Sequence, residues 1–105
     1  SIIEAPLSES RKEIEKLIME NHQLGGDVTE DMLSFLNPLD DDEAYVDLVA
    51  FTLCKETMRK QKILETLELS KRAALVLSEI RGENERLSLL KEALGEWPEE
   101  DFDAN

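Results

Sequence analysis

Apolar side chains recur every three or four positions along most of this chain, and that spacing predicts α-helices. The first predicted helix begins at Ser8 or Ser10 and ends near Gln23. Four more follow, over about residues 29–36, 41–53, 57–66 (or from 55) and 71–94. No segment shows the strict alternation of apolar and polar residues that is typical of a half-buried strand. The pattern predicts an all-α fold, a compact bundle of about five helices in which the last is the longest.

The ends of these helices carry recognisable signals. Ser10 followed by Glu13 fits a capping box, in which two side chains bond free amides of the first turn. The Gly25–Gly26 pair predicts the end of the first helix, because glycine adopts the left-handed conformation at little cost. Thr29 and Ser70 are the expected N-caps of the second and fifth helices.

The third and fifth helices supply most of the predicted core. The third has apolar side chains on more than one side, which predicts that it is the most buried helix. The fifth carries an apolar stripe at positions 76, 80, 83, 87, 90 and 94, which only Glu83 interrupts. Gly82 is a weak point in it, because glycine costs a helix about 1 kcal/mol relative to alanine. We expect the second half of this helix to extend beyond the core or to pack against something else.

Composition narrows the class of protein. The chain has 105 residues, of which 25 are acidic and 12 basic, so its formal net charge is -13. A nucleic-acid duplex carries roughly one negative charge per 1.7 Å and would repel such a chain, so nucleic acid is not an expected partner. Apolar residues make up 41% of the chain, too many for a disordered acidic protein. No run of about 18 apolar residues occurs, and we therefore expect no membrane partner.

Charge is distributed unevenly along the chain. Residues 55–72 hold six basic and three acidic residues, so this segment carries a net charge of +3. Because the whole chain carries -13, the other residues together carry -16. Residues 27–47 hold eight acids and no base. The two regions could lie side by side and reduce mutual repulsion. Alternatively, the basic segment is a docking patch that steers a partner, with Lys55, Arg59 and Lys62 as the partner-binding residues.

Residues 95–105 form an acidic tail after a helical bundle that covers residues 1–94. The tail has five acids and no base, and its composition predicts disorder. It also contains Trp97 and Phe102. Either Trp97 rests on the last helix, or the two aromatic side chains dock into a groove of a partner.

The sequence contains no recognisable catalytic, cofactor-binding or metal-binding motif. His22 is the single histidine and lies near a helix end, where an imidazole suits the helix dipole. Cys54 is the single cysteine, and we expect a buried, inert thiol. The acids of residues 40–43 lack the glycine and glutamate spacing of a calcium loop, so we expect them to cap the third helix. The prediction is a protein that is not an enzyme, with no cofactor and no metal.

One stretch resembles a known family. Glu13–Leu94 resembles the helical, C-terminal half of the Lon substrate-binding domain, which occurs in ATP-dependent Lon proteases and in Lon-like proteins. The specific part is Lys60–Arg72, in which Lys60–Leu69 is similar to the family signature Lys-Gln-x-Leu-Leu-Glu-x-x-Asp-Val. Asp47–Leu53 is similar to the family segment Leu-Ala-Asp-x-Val-Ala, and Ser70–Ala73 stands where the family begins its last helix. Leu24–Gly26 looks like the family's glycine stop after the first helix.

The resemblance implies a module that contacts substrates or partners, without catalysis of its own. The family domain normally begins with a β-rich half, and its proteases add an ATPase and a peptidase domain, none of which this sequence supplies. We therefore expect part of a longer protein or an engineered piece. Within the signature, we expect Ile63 and Leu64 to anchor a short helix and Glu65 to bond Arg72 across the turn. The expected compartment is the bacterial cytoplasm, with an organelle as the alternative.

These inferences predict a non-catalytic module that recognises a polypeptide, either a substrate or a partner protein. Two alternatives stay open. The chain could be a fragment of an ATP-dependent serine peptidase that keeps only the accessory domain, or an acidic decoy that binds basic proteins. An apolar face left by the missing β half would favour a homo-oligomer, which light scattering would detect.

Overall fold

A computed structural model of the protein describes residues 6–54 and 56–95. Within these ranges the chain forms five helices and no strand, which confirms the predicted all-α fold. They are α1 (Leu7–Gln23), α2 (Glu30–Leu36), α3 (Asp42–Leu53), α4 (Thr57–Glu65) and α5 (Leu69–Leu94). Helix α5 is the longest, as the sequence predicted, and its 26 residues span about 39 Å.

Two predictions about helix starts are wrong. The capping box of Ser10 and Glu13 does not form, because α1 begins earlier, at Leu7, after the proline at position 6. Ser70 is not an N-cap, because α5 begins one residue before it, at Leu69. In contrast, Thr29 caps α2 as predicted, since its Oγ1 accepts a hydrogen bond from the Met32 amide at 3.1 Å.

The acids before α3 cap it as the sequence predicted. Asp41 is the N-cap, and its side chain accepts a hydrogen bond from the amide of Glu43 at 3.0 Å. Asp42 and Glu43 occupy the first turn, where the positive end of the helix dipole stabilises negative charge.

Helix α3 occupies the centre of the core, as predicted. Tyr45, Val46, Val49 and Ala50 are fully buried on it. The other core residues come from every remaining helix and from two connections: Ile14, Leu17, Ile18, Val28, Leu33, Leu36, Cys54, Ile63, Ala73, Val76 and Ile80. Phe51, on the far side of α3, is 62% exposed, so α3 is buried along most of its circumference but not all of it.

Helix α5 packs mainly against α1, and its second half extends beyond that contact. Glu13 pairs with Arg81, and the backbone carbonyl of Leu17 accepts a bond from Asn84, so the two helices run in the same general direction. Asn84 is the last buried residue of α5. Beyond it α1 has ended, and Leu90 is exposed, which matches the expectation that α5 outruns the core.

The predicted stripe on α5 is correct in its first half only. Val76 and Ile80 are buried, but the next buried position is Asn84 and not Glu83. A helix turns 100° per residue, so each step along the line 76, 80, 84 is offset by 40°, and Glu83 lies 60° from Ile80 on the other side, at the edge of the buried face. The residue that follows the core along this line is therefore polar.

The acidic and basic regions of the chain meet between α3 and α5, as the neutralising interpretation predicted. Arg72 lies 3.2 Å from a carboxylate oxygen of Glu43 and 3.2 Å from one of Asp47. The prediction that Glu65 bonds Arg72 is wrong. Glu65 instead accepts a hydrogen bond from Gln61 within α4, because the turn carries Arg72 towards α3.

Candidate functional site

Helix α4 presents two of the three basic residues that the sequence marked for partner binding. Arg59 and Lys62 are three positions apart, so their side chains are neighbours on one face of the helix. Ile63 is 3% exposed and anchors α4 to the core, as expected, whereas Leu64 is 40% exposed and does not. The third residue, Lys55, lies outside the described residues.

This face of α4 forms one wall of an open groove against α5, which we call the α4–α5 groove. It is lined by Arg59, Lys62, Ile63, Leu75, Ser78, Glu79, Gly82, Glu83 and Arg86. Its volume is about 570 Å³, within the range of roughly 300–1,000 Å³ that is typical of ligand pockets. Half-buried Leu75 gives the groove apolar surface above the buried Ile63, while three cations and two carboxylates give it a charged rim.

Two of the groove cations are held by nearby carboxylates. Arg59 donates from Nη1 to Glu79 at 3.2 Å, and its Nε lies 3.3 Å from a carboxylate oxygen of Glu56. Arg86 donates from Nε and Nη2 to the two carboxylate oxygens of Glu83, at 3.1 and 2.7 Å. The hydrogen bonds to Glu79 and Glu83 raise the pKa of the two guanidinium groups. Nη2 of Arg59 and Nη1 of Arg86 take no part in these bonds.

Lys62 differs from the two arginines. Its side chain is exposed, and no ion pair within the described part of the chain involves it. Other basic residues of the segment 55–72 contact groups outside the groove. The ammonium of Lys60 lies 4.8 Å from the ring centre of Phe51, and Lys71 pairs with Glu68. The segment is therefore not one continuous basic patch, and Arg59 with Lys62 is the part that faces the groove.

Two groove residues on α5 were not identified as functional from the sequence. A Cβ added at Gly82 would find no atom within 4 Å, so the missing side chain leaves the groove open at this point. Arg86 lies four positions later and brings a third cation to the same wall. The signal for both was their helical spacing from Leu75 and Ser78, but the partner wall on α4 cannot be inferred from that spacing.

A second, smaller cavity shares residues with the groove. It measures about 190 Å³ and is lined by Asn21, Asp27, Leu53, Glu56, Glu79, Ile80 and Glu83. Glu79 and Glu83 line both spaces and therefore stand between them. Despite this concentration of acids, no group of three or more His, Cys, Asp or Glu side chains in the described ranges is arranged to hold a metal ion.

The single histidine and the single cysteine occupy structural positions. His22 Nδ1 lies 2.8 Å from the backbone carbonyl of Val28 and ties the loop after α1 to the helix end. Cys54 is 2% exposed, and burial raises the pKa of its thiol to about 11. Such a thiol stays protonated near neutral pH and is a poor nucleophile, which agrees with the predicted buried, inert side chain.

Exposed apolar side chains also lie outside the groove, among them Met19, Phe35 and Leu89, which are 41%, 61% and 60% exposed. Phe51 lies near the C-terminal end of α3, Leu64 lies near that of α4, and Leu67, in the connection after α4, is 94% exposed. Leu90 and Leu94 are 45% and 58% exposed on the last turns of α5. These residues are the apolar surface available for the predicted self-association, which stays a prediction.

Comparisons with known proteins identify no relative: no family model, no curated protein and no solved structure matches the chain. Among the described residues, no helix combines the length and the apolar character that crossing a membrane requires. A function must therefore be argued from the α4–α5 groove and from the residue pattern that forms it.

Proposed function

We propose that this chain is a non-catalytic module for recognising polypeptides and that the α4–α5 groove is its binding surface. The observation that carries the proposal is the placement of Arg59, Lys62 and Arg86 around the half-buried side chain of Leu75. A groove with this lining suits a peptide that offers carboxylates and apolar side chains together. On a chain of net charge -13, a groove lining with three cations and two carboxylates also distinguishes this surface from the acidic remainder of the protein.

The resemblance to the helical half of the Lon substrate-binding domain supports the same proposal. The most specific stretch of that resemblance, Lys60–Arg72, spans most of α4, the turn after it and the start of α5. The signature thus builds one wall of the groove, with Lys62 and Ile63 inside it. We propose that the chain is related to this accessory domain, and we assign it no step of ATP hydrolysis or peptide cleavage.

Fluorescence anisotropy with two labelled peptides tests the proposal. One peptide alternates Asp and Phe, and the other alternates Lys and Phe. We expect the acidic peptide to bind, and Lys62→Glu to weaken it about tenfold, because a hydrogen bond to a charged group contributes about 1.5 kcal/mol or more. Lys16→Glu on α1, an exposed residue outside the groove, makes the same charge change and should leave the affinity nearly unaltered.

A second substitution tests the groove by shape. Gly82→Leu places a side chain into the open part of the groove and should abolish binding, while circular dichroism confirms that the helices persist. If the acidic peptide binds Lys62→Glu and Gly82→Leu with the same affinity as the wild type, the groove is not the binding site. Tighter binding of the Lys–Phe peptide, strengthened by Lys62→Glu, would instead support the acidic-decoy alternative.

A further inference from the structure

We propose that the α4–α5 groove is occupied, in the free protein, by the acidic segment 96–105 of the same chain. An external polypeptide must then displace this segment before it can bind. The inference rests on the proposed function only for the identity of the competing ligand. The occupancy itself is argued from charge, reach and the shape of the groove.

The side chains of residues 96–105 complement those of the groove in charge and in apolar character. Residues 96–105 read Glu-Trp-Pro-Glu-Glu-Asp-Phe-Asp-Ala-Asn, with five acids, no base and two aromatic side chains. The groove offers the ammonium of Lys62 and the nitrogens of Arg59 and Arg86 that take no part in the bonds to Glu79 and Glu83. Carboxylates would therefore find charge-assisted donors there, and aromatic rings would find apolar surface.

The distances allow the segment to reach the groove within one molecule. Arg86 precedes Gly95 by nine positions of helix, or about 14 Å, and Gly82 precedes it by about 20 Å. Ten extended residues span up to roughly 33–36 Å. A chain that reverses direction after Gly95 can therefore place Phe102, seven residues on and within roughly 23–25 Å, beside Gly82, whereas Trp97, only two residues on, reaches the Arg86 end of the groove.

The same distances disfavour the other exposed patch as the docking place. Phe51, Leu64 and Leu67 surround the region before the start of α5, which lies about 39 Å from Gly95 along that helix. Ten residues cannot cover that length. Leu90 and Leu94 are within reach, but their basic neighbours on α5 are Arg86 and Lys91, fewer than the three cations of the groove, and so compensate five carboxylates less well.

Docking within one chain is favoured over docking between two copies. A short linker gives the attached segment an effective concentration in the millimolar range, whereas free copies meet at their bulk concentration. Each copy also carries a net charge of -13, so two copies repel one another. We therefore propose that the segment in the groove belongs to the same molecule.

The chain provides its own probe, because Trp97 is its single tryptophan. We expect Trp97 in the full chain to emit at a shorter wavelength than in the free peptide 96–105 and to be shielded from acrylamide. Charge reversal by Lys62→Glu together with Arg86→Glu should restore the emission and quenching of the free peptide, and Gly82→Leu should do the same by filling the groove. Lys16→Glu should leave the spectrum unchanged.

Three results would overturn the inference. One is a wild-type spectrum identical to that of the free peptide. Another is a Trp97 that is shielded from acrylamide equally in the wild type and in both groove variants, which would place the segment on Leu90 and Leu94 instead. The third is shielding that increases with protein concentration, which would mean docking between copies.

A final measurement separates this inference from the proposed function. In one full-length variant, Glu99→Gln, Glu100→Gln, Asp101→Asn and Asp103→Asn neutralise the segment, and the labelled Asp–Phe peptide is titrated against it and the wild type. An effective concentration of roughly 1 mM should weaken wild-type binding about tenfold if the segment binds with a Kd of about 0.1 mM. Equal affinities overturn the inference and leave the proposed function standing. A docked Trp97 without peptide binding in either protein supports the inference and refutes the proposed function.

Discussion

Asn21 on α1 donates a hydrogen bond from Nδ2 to Oδ1 of Asn84 on α5, at 2.9 Å, and both side chains are buried. Asn21 Oδ1 accepts from the amide of Val28 at 3.1 Å, and Asn84 Nδ2 donates to the carbonyl of Leu17 at 2.8 Å. The pair therefore links α1, the loop after it and α5. Because buried polar groups must find partners, this link fixes the relative position of the three elements.

Removal of either asparagine should destabilise the fold strongly. Asn21→Ala leaves the Val28 amide and Oδ1 of Asn84 without these partners, and each unsatisfied buried group costs about 1–3 kcal/mol. We expect a loss of about 2–4 kcal/mol in urea unfolding. Asn37→Ala, an exposed position after α2, should change the stability by less than about 0.5 kcal/mol. A double-mutant cycle of Asn21 and Asn84 that gave additive losses would contradict the coupling.

Glycine substitutions at two positions should have opposite effects. A Cβ at Gly26 would overlap the side-chain amide of Asn21, so Gly26→Ala should destabilise the protein and disturb the asparagine pair. At Gly82 the space is open, and Gly82→Ala should stabilise α5 by about 0.5–1 kcal/mol through helix propensity. Thermal unfolding of both variants would show a lower Tm for the first and a higher one for the second. A destabilised Gly82→Ala would mean that this position is more crowded than the structure shows.

Arg72 should contribute to stability where the neighbouring Lys71 does not. The Arg72 side chain is 13% exposed and bridges Glu43 and Asp47, whereas Lys71 is 62% exposed beside an equally exposed Glu68. Arg72→Met leaves the half-buried Asp47 carboxylate uncompensated, and we expect a loss of about 1–3 kcal/mol. Lys71→Met removes an exposed pair and should cost less than about 0.5 kcal/mol. Equal losses in denaturant titrations of the two variants would contradict this difference.

The buried thiol of Cys54 should make stability fall with pH in the alkaline range. Burial raises the pKa of this thiol from 9.0 in the unfolded chain to about 11. Between these values the unfolded chain loses the proton while the folded protein keeps it, so each rise in pH favours unfolding. The contribution is complete below pH 9 and lost as pH rises towards 11. Burial also raises the pKa of Tyr45, which acts in the same direction at higher pH.

Comparison with Cys54→Ala isolates the thiol from the other groups that titrate there. From pH 8 to pH 11 the wild type should lose about 2 kcal/mol more than the variant, because a shift of two pKa units is equivalent to about that amount. Urea unfolding at several pH values measures both proteins. Parallel pH profiles for the two proteins would show that the thiol does not carry the effect.

Local chemistry made several features of this protein predictable. Helices α2 and α3 start after Thr29 and Asp41, whose side chains accept hydrogen bonds from amides two or three residues away. The neighbouring sequence is therefore enough to predict these starts. The stop at Gly25 follows from its positive φ of 78°, which glycine adopts without strain. The starts at Ser10 and Ser70 were predicted incorrectly because the same capping side chains occur inside helices as well as before them.

The candidate site was predictable only in part. Arg59 and Lys62 stand three positions apart, so the sequence alone places them on one face of a helix. Their relation to Gly82 and Arg86 depends on how α4 packs against α5, and no local pattern encodes that packing. Likewise, Arg72 turns to α3 and not to the nearby Glu65, because the direction of α5 decides which carboxylate it meets.

The sequence by itself determined the all-α class, the number and approximate limits of the helices, and the uneven charge that places acids at helix starts. These properties depend on interactions within a few residues, which spacing and capping chemistry specify. Tertiary structure alone decided that a buried polar pair, Asn21 with Asn84, joins α1 to α5, and that an open groove lies between α4 and α5. The pair joins residues 63 positions apart, and the groove joins residues 12 to 27 positions apart, so their meeting depends on the packing of whole helices and not on the residues beside them.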